Sequence, residues 1–208
     1  MPAPETNPLF DPARDVVTDA ASLQGLAHPV RLRLLGLLRR DGPSTASKLA
    51  DELGISSGLS SYHLRQLAAA GHIVPAESGE RRGRERWWAA ARRSTHVGPP
   101  PAGDAEAAAL TADYLDVVLT VHLDKARRWL ATEHDWPAEW QNATDFSDLA
   151  LALTPEQTRQ LKLDLAEVLG RYPRAEAGVP LPPGAVAVAA QYQVFPDPGQ
   201  PVPGSGDR

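Results

Sequence analysis

Arg81, Arg82, Arg84 and Arg86 crowd into the stretch RRGRER, where Glu85 is the only acid. Mutual repulsion disfavours such a loop unless it lies against an anion, and guanidinium groups grip phosphate oxygens two at a time. A second group precedes it: Ser56, Ser57, Gly58, Ser61, Tyr62 and Arg65. Its hydroxyls offer single hydrogen bonds, its glycine permits close backbone approach, and Arg65 can clamp paired acceptors. A third group, His122, Asp124, His134 and Asp135, carries donors that zinc or nickel accept. The two histidines stand 12 positions apart, which on a helix leaves them about 120° off a common face. A metal there would need ligands from a second chain, so none is expected. With no cysteine, disulfides, thiolate clusters and thiolate nucleophiles are excluded. No glycine-rich phosphate loop, nucleophile elbow or metalloprotease histidine pair appears, so neither catalysis nor a cofactor is expected.

The whole chain of 208 residues has a formal charge of −5, but the distribution is uneven. From Arg31 to Arg93 there are 12 basic against 6 acidic residues, a local +6 that leaves −11 for the remainder. A basic segment in an acidic chain suits a polyanionic partner only if its positive face is segregated in space. No apolar run reaches the roughly 18 to 20 residues of a membrane span, and the first residues have no basic start or apolar run of a leader. A soluble, cytoplasmic protein with no membrane partner is expected.

Glycine and proline divide the chain. Residues 1–12 and 196–208 (PDPGQPVPGSGDR) are expected to be disordered tails, and VGPPPAG at 97–103 separates a domain over 13–97 from a region over 104–195. In the first domain, 15–25 reads as a short helix. Pro29 opens a second, with Leu34, Leu35, Leu37 and Leu38 as its buried stripe and Asp41-Gly42-Pro43 as its stop. Ser44 or Thr45 caps a third helix carrying Ala46, Leu49, Ala50 and Leu53, ended by Gly54. Ser56 or Ser57 then caps a fourth over 56–70, with Gly71 beyond it. Two short helices joined at a tight glycine turn make a helix-turn-helix candidate. HIVPAES and RERWWAAA flank GERRG as strand, turn and strand, a wing at 79–86. The expected class is mainly α (α+β).

The stretch from Leu26 to Ala91 resembles the DNA-binding core of ArsR-type (arsenic-repressor-like) transcriptional regulators, most of all a subgroup carrying SSYHLRQL and RERWW. The resemblance implies a homodimer that binds double-stranded operator DNA and represses. Founding members of that family sense metals through cysteine-rich sites. This cysteine-free chain departs from them there.

At 100° per residue, Ser60, Leu64, Leu67 and Gly71 share one side of the fourth helix, with His63 at its edge. Gly58, Ser61, Tyr62, Arg65 and Ala69 take the other, suited to a major groove about 12 Å wide. The helix start at Ser56, Ser57 and Gly58 would approach a phosphate, and the wing arginines would follow the backbone or minor groove. Trp87 and Trp88 must face opposite ways on a strand, one towards the core.

A long helix is expected over 104–133, with a seam of Leu110, Tyr114, Val117, Val118 and Val121 widened by Leu115, Leu119 and Leu130. The excess apolar surface would form the dimer interface. Thr154-Pro155-Glu156-Gln157 starts a further helix, and alternation from Ala185 to Phe195 reads as a late strand. Trp129, Trp136, Trp140 and Phe146 form either packing or a pocket for an unidentified small-molecule effector. The alternative function is a winged-helix module that binds proteins and not DNA.

Overall fold

The computed structural model describes residues 9–11, 13–18, 20–77 and 85–201. Two compact units are distinguished. The larger spans 10–131 with 174–187. The smaller joins 132–173 to 188–208 and 1–9.

The larger unit begins with β1 (Asp15–Thr18) and the single turn α1 (Ala20–Leu23), where one helix was expected over 15–25. The β-branched run Val16, Val17, Thr18 favours a pleated surface, and the strand finds a partner: β5 (Ser94–Val97) runs parallel to it, Asp15 opposite Ser94 and Thr18 opposite Val97. Asp15 is buried at this junction. Arg93 donates Nε to its Oδ1 at 3.1 Å and a terminal nitrogen to Oδ2 at 2.8 Å, and the Ser94 hydroxyl donates at 2.7 Å. Burial alone would raise this carboxyl's pKa. The bonds from Arg93, the Asp11 N–H and Ser94 reverse that and hold it well below the carboxylate range.

α2 (Pro29–Asp41) starts at the expected proline and buries the expected Leu34, Leu35, Leu37 and Leu38. Each fully buried leucine contributes roughly 1.5–3 kcal/mol. Its N-cap is His28, whose Nδ1 accepts from the Val30 N–H at 3.1 Å. β2 (Ser44–Thr45) leads into α3 (Ala46–Leu53), capped by the Thr45 hydroxyl. Gly54 ends α3 at φ +64°, a left-handed conformation open to glycine at little cost. α4 (Ser57–Ala69) follows at once, its N-cap Ser56 accepting from the Leu59 N–H at 3.2 Å. α2, α3 and α4 pack together around Leu49, Leu64 and Leu67.

The expected strands are β3 (Ile73–Ala76) and β4 (Trp87–Ala90), antiparallel with Ile73 opposite Ala90 and Ala76 opposite Trp87. β2 joins on the other side of β4, so the order is β2-β4-β3. Pro75 is therefore on an edge strand, where its missing N–H breaks no ladder. Trp88 is buried, as one of the two tryptophans had to be.

α5 (Ala105–Thr132) is the expected long helix. It buries Ala107, Thr111 and Tyr114 against the core, while Leu115, Leu119, Leu123 and Leu130 remain exposed. The smaller unit holds a 3-10 turn (Glu133–Asp135), α6 (Ala138–Gln141) and α7 (Pro155–Gly170). α7 starts with the expected capping box: Thr154 Oγ1 accepts from the Gln157 N–H while Gln157 Oε1 accepts from the Thr154 N–H. The fold class is as expected, a winged helix-turn-helix followed by a helical region. Residues 185–195, read as a strand from their alternation, join no ladder among the described residues. Alternation supplies an apolar side, but a strand also needs a neighbour's free edge. The expected tails fall mostly on 1–8, 12 and 202–208, outside the described residues.

Candidate nucleic-acid interface

The geometry of α4 follows from what its inner side buries. Ser60, His63, Leu64 and Leu67 are enclosed, so the opposite side has to face out. Ser56, Ser57, Gly58, Tyr62 and Arg65 are exposed there, Tyr62 to 49%. Ser61 is half-buried at the margin. Arg65 forms no ion pair with any described residue, so its five donors are available to a partner. A Cβ built on Gly58 would meet nothing within 4 Å, and the helix start is bare.

The base of the wing is tied to the helix-turn-helix. Ser47, in the first turn of α3, donates its hydroxyl to Glu85 at 2.6 Å. The hydroxyls of Ser47 and Thr45, and the charge of Lys48, lower the pKa of the Glu85 carboxyl. Lys48 Nζ lies 4.7 Å over the Trp87 ring, and the Arg86 guanidinium 4.3 Å over the Trp88 ring. Arg86 is thus stacked on the sheet beside the buried tryptophan while remaining exposed. Arg81, Arg82 and Arg84 lie outside the described residues. The sequence reading passed over Lys48 and Ser47; their signal was their position in the first turn of the helix before the reading helix.

Other basic groups of this unit serve the fold. Arg33 pairs with Asp124, joining α2 to α5. Arg39 donates to the Arg92 carbonyl at 3.0 Å and to the Thr95 hydroxyl at 2.8 Å. The excess of arginine in this region therefore divides between structural pairing and a free outer face.

The histidine and carboxylate group separates into unrelated roles. Asp124 is committed to Arg33, and His134 is 3.4 Å from its neighbour Asp135 on an exposed turn. Among the described residues no three histidine or carboxylate side chains converge to hold a metal. In the smaller unit Trp136 and Trp140 meet edge to face at 6.3 Å, and Phe146 is exposed. A recess of about 310 Å³ in that unit lies elsewhere, lined by Lys162, Leu163, Ala166, Tyr192 and Val194. No described helix is long and apolar enough to cross a membrane.

Residues 26–71 match a helix-turn-helix domain family. The match takes in α2, α3 and α4 and stops at Gly71, before the wing. Such domains are DNA-binding elements of regulators, and the chain accordingly carries the features of a DNA-binding regulator. No curated protein matches the chain.

Proposed function

We propose that this protein is a sequence-specific transcriptional regulator of the ArsR type, acting as a homodimeric repressor at double-stranded operator DNA. The reading rests above all on one observation: α4 presents Ser57, Gly58, Tyr62 and Arg65 on one exposed side while Ser60, His63, Leu64 and Leu67 fix the other in the core. In this reading α4 enters the major groove, Ser56, Ser57 and Gly58 approach a phosphate, and Ser61, Tyr62 and Arg65 reach base edges. Arg81, Arg82, Arg84 and Arg86 follow the backbone or minor groove as the wing. Homodimerisation is supported by the exposed apolar residues of α5, Leu115, Leu119, Leu123 and Leu130, which a monomer leaves in water. A two-fold dimer would read half-sites one helical turn or a multiple apart. The domain limits 13–97 and 104–195 and a cytoplasmic location belong to the same proposal. An effector, if the regulator takes one, would be sought first at the recess beside α7.

The test is mobility shift and titration against duplexes selected from a randomised pool at physiological salt. Arg65→Ala should relax sequence preference by about 1–3 kcal/mol, whereas Arg84→Ala should weaken all duplexes alike and flatten the salt dependence. Unchanged affinity in both variants would reject the interface. A chain that retains no duplex would instead be a winged-helix protein-interaction module.

A further inference from the structure

Beneath the reading helix lies a contact between two titratable rings. His63, on the inner side of α4, is 4% exposed, and its ring centroid is 4.4 Å from that of His28, the N-cap of α2. His28 Nδ1 accepts the Val30 N–H, so that nitrogen carries no proton and the cap exists only in the neutral ring. His63 Nδ1 is buried with no hydrogen-bond partner among the described residues. Both rings are held below the ordinary histidine pKa, His28 by burial and then the charge of Arg31, His63 by burial and then His28 and Arg31. Tyr62 meets His63 edge-on at 5.1 Å, linking the pair to a side chain of the outer face. The groups acting on the pair are thus Arg31 from α2 and the ring of Tyr62 from α4 itself. α3 and β3, which also pack on α4, bring no described carboxylate that would stabilise an imidazolium.

We propose that the packed His28–His63 pair makes the seating of α4 sensitive to protons, so that DNA is held with both rings neutral and released on acidification. A proton on His28 Nδ1 removes the acceptor that caps α2. A proton on either ring sets a cation against the other ring and Arg31 in a site without a counter-ion. α4 relieves this by moving off α2, taking Tyr62 and Arg65 with it. The sign is diagnostic. Added positive charge ordinarily strengthens binding to a polyanion, whereas this pair weakens it.

The inference rests on the DNA-binding reading above, and the experiment separates the two. The full chain is titrated at constant ionic strength, at pH 7.5 and pH 5.5, against the duplex selected from a randomised pool at pH 7.5, with circular dichroism recorded on the same samples. The wild type should bind at least about tenfold more weakly at pH 5.5 with its helical signal retained. His28→Asn, which keeps a capping oxygen that does not titrate, and His63→Gln should each reduce that ratio to under about threefold. Failure to select any duplex at pH 7.5 overturns the DNA-binding reading and the inference with it. A selected duplex whose affinity rises or holds steady on acidification overturns the inference alone. So does a fall that persists undiminished in both variants, or one that occurs only where the helical signal collapses.

Discussion

Gly58 separates what α4 needs in order to fold from what it needs in order to bind. It occupies the first turn of the helix, with φ outside the positive region, and an added Cβ meets no atom within 4 Å. Gly58→Ala should therefore stabilise the free protein. Alanine is favoured over glycine inside a helix by about 1 kcal/mol, and the first turn yields part of that, about 0.5 kcal/mol. For a chain of this size the gain is about 1–2 °C in Tm. In the proposed complex the same methyl group stands where the backbone approaches a phosphate, so affinity should fall about tenfold, roughly 1.4 kcal/mol. Differential scanning calorimetry of the free protein and fluorescence anisotropy with a selected duplex read the two effects. Gly54→Ala is the control of opposite sign. At φ +64°, also with nothing within 4 Å, its cost is backbone strain of about 1–2 kcal/mol, partly offset by a stiffer unfolded chain. Gly58→Ala with higher Tm and unchanged affinity would show that the start of α4 does not approach DNA. Lower Tm would refute the helix argument itself.

Asp15→Asn should cost about 3 kcal/mol in chemical unfolding, because it leaves Arg93 facing a buried amide without the charge that balanced it. With the native Asp15 pKa lowered, the unfolded chain takes up the proton first. The stability this residue contributes is therefore complete above about pH 4 and declines below it. The depressed histidine pair acts with the same sign but earlier, as pH falls below about 6.5, so urea midpoints across pH 3–8 should show two separate declines, the upper one reduced by His28→Asn. Leu119→Glu, at a side chain 50% exposed, should leave Tm within about 1 °C for a monomer but shift sedimentation from dimer to monomer if α5 is the subunit interface. An unchanged dimer would move the interface elsewhere.

Much of this fold could be read where a local rule coincides with the packing that rewards it. Pro29 at a helix start, Thr45 and Ser56 as caps, Gly54 in the turn and the Thr154–Gln157 box all combine a backbone need with a side chain suited to it. The two sides of α4 were legible because burial of Ser60, Leu64 and Leu67 fixes its rotation at 100° per residue. β1 was missed because its pairing is non-local. Asp15–Thr18 becomes a strand only when residues nearly eighty positions later supply an edge and Arg93 supplies a charge. The reverse error lies at 185–195, where an alternating pattern has no edge to join among the described residues. Neither outcome could be read from periodicity, which reports one face of an element and not the identity of its neighbour.

The same distinction explains the candidate site. Residue type drew attention to the arginines, yet type alone cannot divide those that pair within the protein from those that remain free. Arg33 and Arg93 are neutralised by carboxylates distant in sequence, Asp124 and Asp15, whereas Arg65 pairs with no carboxylate among the described residues. The positive charge able to act on a polyanion is therefore smaller than the count of basic residues suggests. Part of what remains of it in the described residues lies on the outer side of α4 and at the base of the wing, where Arg86 rests on Trp88. Because counter-ion release follows the contacts made and not the total charge, the salt dependence of binding should reflect this smaller set. Neutralising Arg33 should accordingly lower stability without changing that slope, while neutralising Arg86, set on the backbone or minor groove in the proposed complex, should reduce it by about one unit. Equal slopes for Arg33→Gln and Arg86→Gln would show that the division drawn from the ion pairs does not govern binding.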